Sequence, residues 1–179
     1  HPIPRRQRQM CIRDSYEYDD YSLLTVKVTD ALDNETLVLT IDYYTLQPQK
    51  MRDINHNISE VLFDPLGMVT VTSFYETENG VEVGFMKLED YLQPEPPTIE
   101  DVNANPRNYL QRAASYFYYD LFSWQNHQVP VHAFNLVAEG YEADARVQKS
   151  ITYSDGLGRE VQSKMKVERG EAFVVNIGT

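Results

Sequence analysis

The sequence predicts a mainly β protein, built as successive antiparallel hairpins with one short helix. Alternation is the first observation behind this: Leu24, Val26 and Val28 fall on one face of an extended segment, and Thr25, Lys27 and Thr29 on the other. Turn-forming clusters then recur between such segments, at Asp30–Asn34, Asp64–Gly67, Asn79-Gly80 and Asp155–Gly158. Thirteen tyrosines bring the aromatic content to 12%, which suits half-buried strands.

Taken in order, a strand starting at Tyr21 ends at the turn Asp30-Ala31-Leu32-Asp33-Asn34, and Thr36 to Tyr44 alternates again. Pro48 is expected to close that strand, since proline cannot donate to a central ladder. Gln49 to Asp53 then leads into a polar turn of Asp53, Asn55, His56 and Asn57. Ile58 to Phe63 and Met68 to Tyr75 are strands separated by Asp64-Pro65-Leu66-Gly67, and Asn79-Gly80 closes the next hairpin. Residues 87–105 are acidic and carry Pro94, Pro96 and Pro97, so an extended surface loop is expected between β-hairpins over 16–86 and a second β segment over 106–179. In that second segment Asn105-Pro106 can cap a short helix through Ala114, because proline at the first helical position gives up no needed hydrogen bond. Tyr116 to Trp124 and Val131 to Ala138 read as strands, and Val147 to Ser154 pairs with Arg159 to Val167 across the last turn.

Charge narrows the function classes. A net charge of −11 disfavours a phosphate-backbone partner, whose binding needs basic patches. The densest basic cluster, Arg5, Arg6, Arg8 and Arg13, lies in RRQRQMCIRDS, a string that resembles a transposase sequencing adapter translated in one frame. Residues 1–15 are therefore set apart from the fold. Without them the counts fall from 16 to 12 basic and from 27 to 26 acidic residues, a net of −14, and the only cysteine, Cys11, is gone. A cysteine-free remainder is compatible with export and offers no thiol nucleophile. No run of about 20 apolar residues reads as a membrane span.

Three turns share one design, in which Asp, any residue and Leu precede a turn-former: Asp30 with Leu32, Asp64 with Leu66 and Gly67, and Asp155 with Gly156, Leu157 and Gly158. The aspartate can accept backbone N–H groups, the glycine can take positive φ, and the leucine is expected to fold back over the sheet. Gly158 in particular is expected at positive φ.

ITYSDGLGREVQSKM, with Tyr153 before the turn and Arg159 after it, resembles a YD repeat. DYYTLQPQKMRDINHNISEVLFDPLGMV and NPRNYLQRAASYFYYDLFSW resemble stretches of the B component of the bacterial Tc insecticidal toxin complexes, a family of Rhs/YD-repeat shell proteins. Asp33 departs from the pattern, where glycine is usual. The resemblance implies that these hairpins form part of a large curved β-shell, a fragment of an exported shell assembled from B and C components around a toxic polypeptide, with the pore-forming A component as a further partner. Cut from such a shell, Tyr16, Tyr18 and Tyr21 at one end and Phe173 to Ile177 at the other are expected to lack partners.

Sharper site readings are weaker. Asp53, Asn55, Asn57 and Asp64 have some of the spacing of a calcium loop, but Ile58 stands where the sharp turn needs glycine, so a polar turn is expected. His56, His127 and His132 are not at helical zinc spacing. Asp64-Pro65-Leu66-Gly67 is similar to the self-cleavage sequence of toxin-releasing Rhs proteins, with Asp155 as a possible second carboxylate, yet it fits the repeat turn equally well. With no hydrolase elbow, histidine metal motif or phosphate-binding glycine loop, no enzyme activity, metal or cofactor is expected. The aromatic run Tyr116, Phe117, Tyr118, Tyr119, Phe122 and Trp124 is expected to pack between strands. An aromatic surface for sugar rings is the alternative, that of a carbohydrate-binding or adhesive module.

Overall fold

The computed structural model describes residues 14–78, 81–95, 97–155 and 157–167 and divides into two compact units. Among the described residues it holds eleven strands, all in antiparallel ladders, and three short α-helices.

The first unit runs to Leu92 and takes in Arg112–Ala114. Its strands are β1 (Ser15–Tyr18), β2 (Thr25–Thr29), β3 (Glu35–Asp42), β4 (Gln47–Arg52), β5 (Ile58–Phe63), β6 (Val69–Glu78) and β7 (Val81–Gly84), each paired with the next. Their order follows from loops too short for anything but a return beside the preceding strand. From β1 to β4 no strand residue is fully buried, as in a single layer with both faces open. Cover begins at β5 and β6, where Val71, Ser73 and Tyr75 are buried together with Leu88, Tyr91, Ala113 and Ala114. The Ala114 N–H donates to the Thr72 carbonyl at 2.9 Å and the Met86 N–H to the Arg112 carbonyl at 3.0 Å, which fixes that cover to the sheet.

The second unit comprises Gln93–Gln111 and the chain from Ser115. It holds α1 (Ile99–Ala104), α2 (Pro106–Leu110), β8 (Ser115–Asp120), α3 (Ser123–His127), β9 (His132–Ala138), β10 (Val147–Ser154) and β11 (Glu160–Met165). The last four strands pair in sequence, Tyr118 opposite Phe134 and Phe134 opposite Ile151. Helices α1 and α2 lie against β8 and β9, burying Val102, Leu110, Tyr116, Phe134 and Leu136.

Several expectations need correction. Pro48 does not end a strand but lies second in β4 opposite Ile41, next to a register shift, where a missing N–H costs the ladder nothing. Residues 87–105 are not a plain loop: Leu88–Asp90 form a 3₁₀ turn and α1 follows. Its signal was present in the Thr98-x-x-Asp101 spacing: Thr98 caps the helix by accepting the Asp101 N–H at 3.2 Å, and its hydroxyl donates to the Asp101 carboxylate at 2.8 Å. The one expected helix, through Ala114, stops at Leu110, where Gln111 turns to φ +51°. The strand expected over Tyr116–Trp124 ends at Asp120, and Trp124 sits in α3. Ser15, set apart with the preceding residues, pairs with Thr29 in β1. Residues 1–13, Asn79-Gly80 and Phe173 to Ile177 lie outside the described residues, while Tyr16, Tyr18 and Tyr21 are exposed.

Candidate functional site: the aspartate turns and the Glu60 cluster

The hairpin ends share one construction. At Asp30, the Leu32 and Asn34 N–H groups donate to Oδ1 at 2.7 and 3.0 Å, and Asn34 Nδ2 reaches Oδ2 at 2.8 Å. Asp64 Oδ1 takes the Leu66 and Met68 N–H groups at 2.9 and 2.8 Å. Asp155 Oδ1 takes those of Leu157 and Arg159 at 2.8 and 2.9 Å, and Arg159 Nε and Nη2 meet Oδ2 at 2.8 and 2.7 Å. In each turn the fourth residue donates to the carbonyl of the aspartate and takes positive φ: Asp33 +63°, Gly67 +80°, Gly158 +77°. This is a β-turn followed by a left-handed residue. Gly156 lies outside the described residues.

Asp53 heads a fourth turn of the same build. The Asn55 and Asn57 N–H groups meet Oδ1 at 2.8 and 2.9 Å, Asn57 Nδ2 meets Oδ2 at 2.9 Å, and His56 stands at φ +68°. The carboxylate weighed as a calcium ligand is thus engaged by its own turn. Asp19 and Asp42 head two longer versions, with Ser22 and Leu46 at positive φ. Aspartates 19, 30, 42, 53 and 64 therefore recur every eleven or twelve residues, one per strand, a period readable in the sequence once the leucine is dropped from the pattern.

The leucines do not fold back. Leu32, Leu66 and Leu157 are 81%, 71% and 80% exposed, because the residue whose N–H is turned in to the aspartate projects its side chain from the tip. The carboxylates of Asp30, Asp53 and Asp155 are held below the usual aspartate value of 3.8, Asp30 and Asp53 first by the following asparagine side chain and Asp155 first by the Arg159 N–H.

Three turn substitutions follow. A Cβ at Gly158 meets no atom within 4 Å, so Gly158→Val costs backbone and rotamer strain alone, about 1 kcal/mol or slightly more. Thermal melting should show it, with Gln162→Val as the strand control; equal melting of the two variants would refute the strain argument. Conversely, Asp33→Gly and His56→Gly relieve a left-handed side chain and should each stabilise by about 0.5 kcal/mol, the relief slightly exceeding glycine's chain entropy. Lower melting temperatures would reverse that balance.

A second cluster lies on the β4–β6 face. Glu60 is 8% exposed and receives Lys50 Nζ at 2.6 Å and the Tyr75 hydroxyl at 3.0 Å on Oε1, and the Leu88 N–H at 2.7 Å on Oε2. Burial pushes the Glu60 carboxyl up, but the Leu88 N–H, the Lys50 ammonium and the Tyr75 hydroxyl outweigh it and hold it below 4.5. Lys50 is held above its ordinary value, chiefly by that hydrogen bond. The ammoniums of Lys50 and Lys87 lie 5.8 and 5.9 Å from the Tyr75 ring centre. Sequence reasoning missed this group, because nothing local marks Glu60 as buried or Leu88 as its partner. The arrangement binds the 3₁₀ turn to the sheet; a shallow cleft of about 300 Å³ beside it is lined by Lys50, Glu60, Val61 and Leu88 among others.

Tyr153 stands in β10 with its ring 5.4 Å from that of buried His132, whose Nδ1 lies 3.0 Å from the Pro130 carbonyl. The aromatic run divides: Tyr116 is buried, whereas Phe122 and Trp124 are 64% and 58% exposed, contrary to the packing expected of all six. Both lie past the end of β8, Phe122 at the N-cap of α3 and Trp124 within it. Trp124 borders an apolar cleft of about 470 Å³ with Pro130, Val131, Ser154, Asp155 and Val161.

No family model and no curated protein matches the chain. Among solved structures, a crystal structure of TcdB2-TccC3 matches 84% of this chain at 27% identity with a TM-score of 0.70. A TcdB2-TccC3-Cdc42 crystal structure covers 88% at 20% identity, and the Photorhabdus luminescens Tc holotoxin pore with the TccC3 D651A mutation covers 88% at 21%, both with a TM-score of 0.70. The chain spans 7% of the first of these chains and 10% of the other two. Together with its hairpin ladders and aspartate turns, the 27% identity and shared fold support a likeness of this chain to a Tc toxin B/C-like Rhs-shell fragment.

Proposed function

We propose that this segment is a structural, non-enzymatic part of an exported bacterial Tc-type toxin complex. It contributes to a Rhs-like β-shell that encloses a toxic C-terminal polypeptide and helps deliver it. The observation that carries this reading is the open run β1 to β4, whose two faces and strand edges are those of a wall rather than of a closed core. Its partners on this reading are a C component, which completes the shell and supplies the enclosed chain, and a pore-forming A component. A chimera tests it: residues 16–167 replace the matching segment of TcdB2, and the product is combined with TccC3. Co-purification with a protease-protected enclosed chain is expected. A folded chimera that leaves that chain open to protease would reject the shell role.

The non-enzymatic part has its own measurement. Asp64 Oδ1 is engaged by the Leu66 and Met68 N–H groups, which favours the turn over self-cleavage. Intact mass should stay constant at neutral pH; a break beside Asp64 that Asp64→Asn abolishes would overturn this.

The exposure of Phe122 and of Trp124, the latter bordering an apolar cleft, favours one second reading, a carbohydrate-binding module. Sugar binding on a glycan array, lost in Trp124→Ala, would select it over the shell role.

A further inference from the structure

The charged side chains of β1 to β5 are sorted by face. Glu17 lies opposite Lys27, Lys27 opposite Leu37 and Leu37 opposite Arg52, while Lys50 lies opposite Glu60. Residues opposite one another in a ladder, and residues two apart on a strand, share a face. Glu17, Lys27, Glu35, Lys50, Arg52 and Glu60 therefore all stand on one face, and the only other charged residue of these five strands, Asp42, heads a turn. On that face Lys27 bridges Glu17 and Glu35, and Lys50 meets Glu60. The cover at Leu88 is fastened on the same side, through its N–H bond to Glu60.

The opposite face carries no charge across these five strands. Val28 faces Thr36, and two residues along β3 Val38 begins a second row with Met51, Ser59 and Phe74. Charge returns on this side only in β6 beyond Phe74, at Glu76 and Glu78. Met51 and Phe74 are 37% and 55% exposed, Ser59 is exposed, and Val28, Thr36 and Val38 are half-buried. In a chain with 27 acidic and 16 basic side chains, such a face has the composition of a contact surface, from which charges are depleted.

Its chemistry selects the occupant. A second sheet laid flat on it would call for an apolar row, whereas the hydroxyls of Thr36 and Ser59 are interspersed with Val28, Val38, Met51 and Phe74. A charged folded partner would find no ion pair there. A polypeptide of mixed sequence needs neither: its apolar side chains meet the valines, Met51 and Phe74, its peptide groups meet the hydroxyls, and no wall charge repels or traps either sign.

We propose that the uncharged face of β1 to β5 lines the lumen and touches the enclosed polypeptide, while the ion-paired face with the Leu88 cover looks out to water. The assignment rests on the shell reading and adds to it the side of the wall. An outward place suits the ion pairs, because the side chains of Glu17 and Glu35, 64% and 43% exposed, there keep the hydration that a covering chain would remove.

The shell chimera provides the test, because residues 16–167 carry no cysteine and a single new one marks its own position. Ser59→Cys puts a thiol on the uncharged face and Glu17→Cys one on the charged face. Each variant is labelled with a benzophenone maleimide, combined with TccC3 and irradiated, and protease protection of the enclosed chain is read in parallel on the unlabelled chimera. The crosslink to the enclosed chain should be about tenfold or more stronger from Ser59→Cys, since a tether on the outer side cannot span the wall. A bulky PEG-maleimide added after assembly should modify Glu17→Cys and spare Ser59→Cys, and in denaturant both should react; this second measurement stands even where the benzophenone hinders assembly. A protected chain that crosslinks from Glu17→Cys, equally from both positions or from neither would overturn the face assignment and leave the shell reading intact. Crosslinks between two chimeras through Ser59→Cys would mean that a second copy covers this face, and would overturn it too. A chain left open to protease rejects the shell reading, and the assignment falls with it.

Discussion

Glu60→Gln should lower the stability of the first unit by about 3 kcal/mol, since breaking a buried ion pair leaves the other charge without its partner. Glutamine keeps the shape but removes the charge that Lys50 meets at 2.6 Å, and its amide can accept at only one end of the pair now serving Lys50, Tyr75 and the Leu88 N–H. The double change Glu60→Leu with Lys50→Met should recover most of the loss, because an apolar pair needs no such satisfaction. Denaturant melts of the three proteins check both statements; a Gln variant as stable as the parent would show that the cluster holds nothing.

The same group sets a pH dependence. The folded-state pKa of Glu60 lies below its unfolded value of 4.5, so its contribution is fully present above 4.5 and is lost as pH falls through the lower folded value. Asp19, Asp30, Asp53 and Asp155 act with the same sign below 3.8. Stability should therefore fall on acidification from about pH 4.5 downward, and less steeply in Glu60→Gln.

Much of this was readable because it is local. A turn headed by aspartate needs only five consecutive residues, so Asp30, Asp64 and Asp155 announced their hairpins, and the alternation around them fixed the strands. The leucines misled for a local reason too: an apolar side chain suggests burial, but in so short a loop its position is dictated by the N–H that the aspartate takes. Trp124 and Phe122 read as strand residues until Ser123 is seen to be buried, its hydroxyl donating to the carbonyls of Val129 and Pro130, which bends the chain into α3. Glu60 was out of reach, since its partners Lys50, Tyr75 and Leu88 come from three places in the chain and meet only when the sheet is formed.

Gly84→Ala should be at least as damaging, about 3 kcal/mol or more. Gly84 ends β7 opposite Tyr75 at φ +123°, a region that side chains rarely enter. A Cβ there would lie 2.8 Å from Tyr75 Cα and 2.9 Å from the Phe74 carbonyl oxygen, both backbone atoms that cannot step aside as a flexible side chain could. Strain and overpacking thus add, each worth about 1–3 kcal/mol. Relief would require β6 to shift at Tyr75, which would pull its hydroxyl from Glu60 and disturb the Phe85 N–H bond to the Phe74 carbonyl, now 3.0 Å. Gly158→Ala is the matched control, with a similar sign of φ and open space around the new carbon. Denaturant midpoints of the two alanine variants, read beside amide exchange in β6 and β7, decide the matter. Equal losses in both would mean that β7 does not approach β6 this closely and that positive φ alone sets the cost.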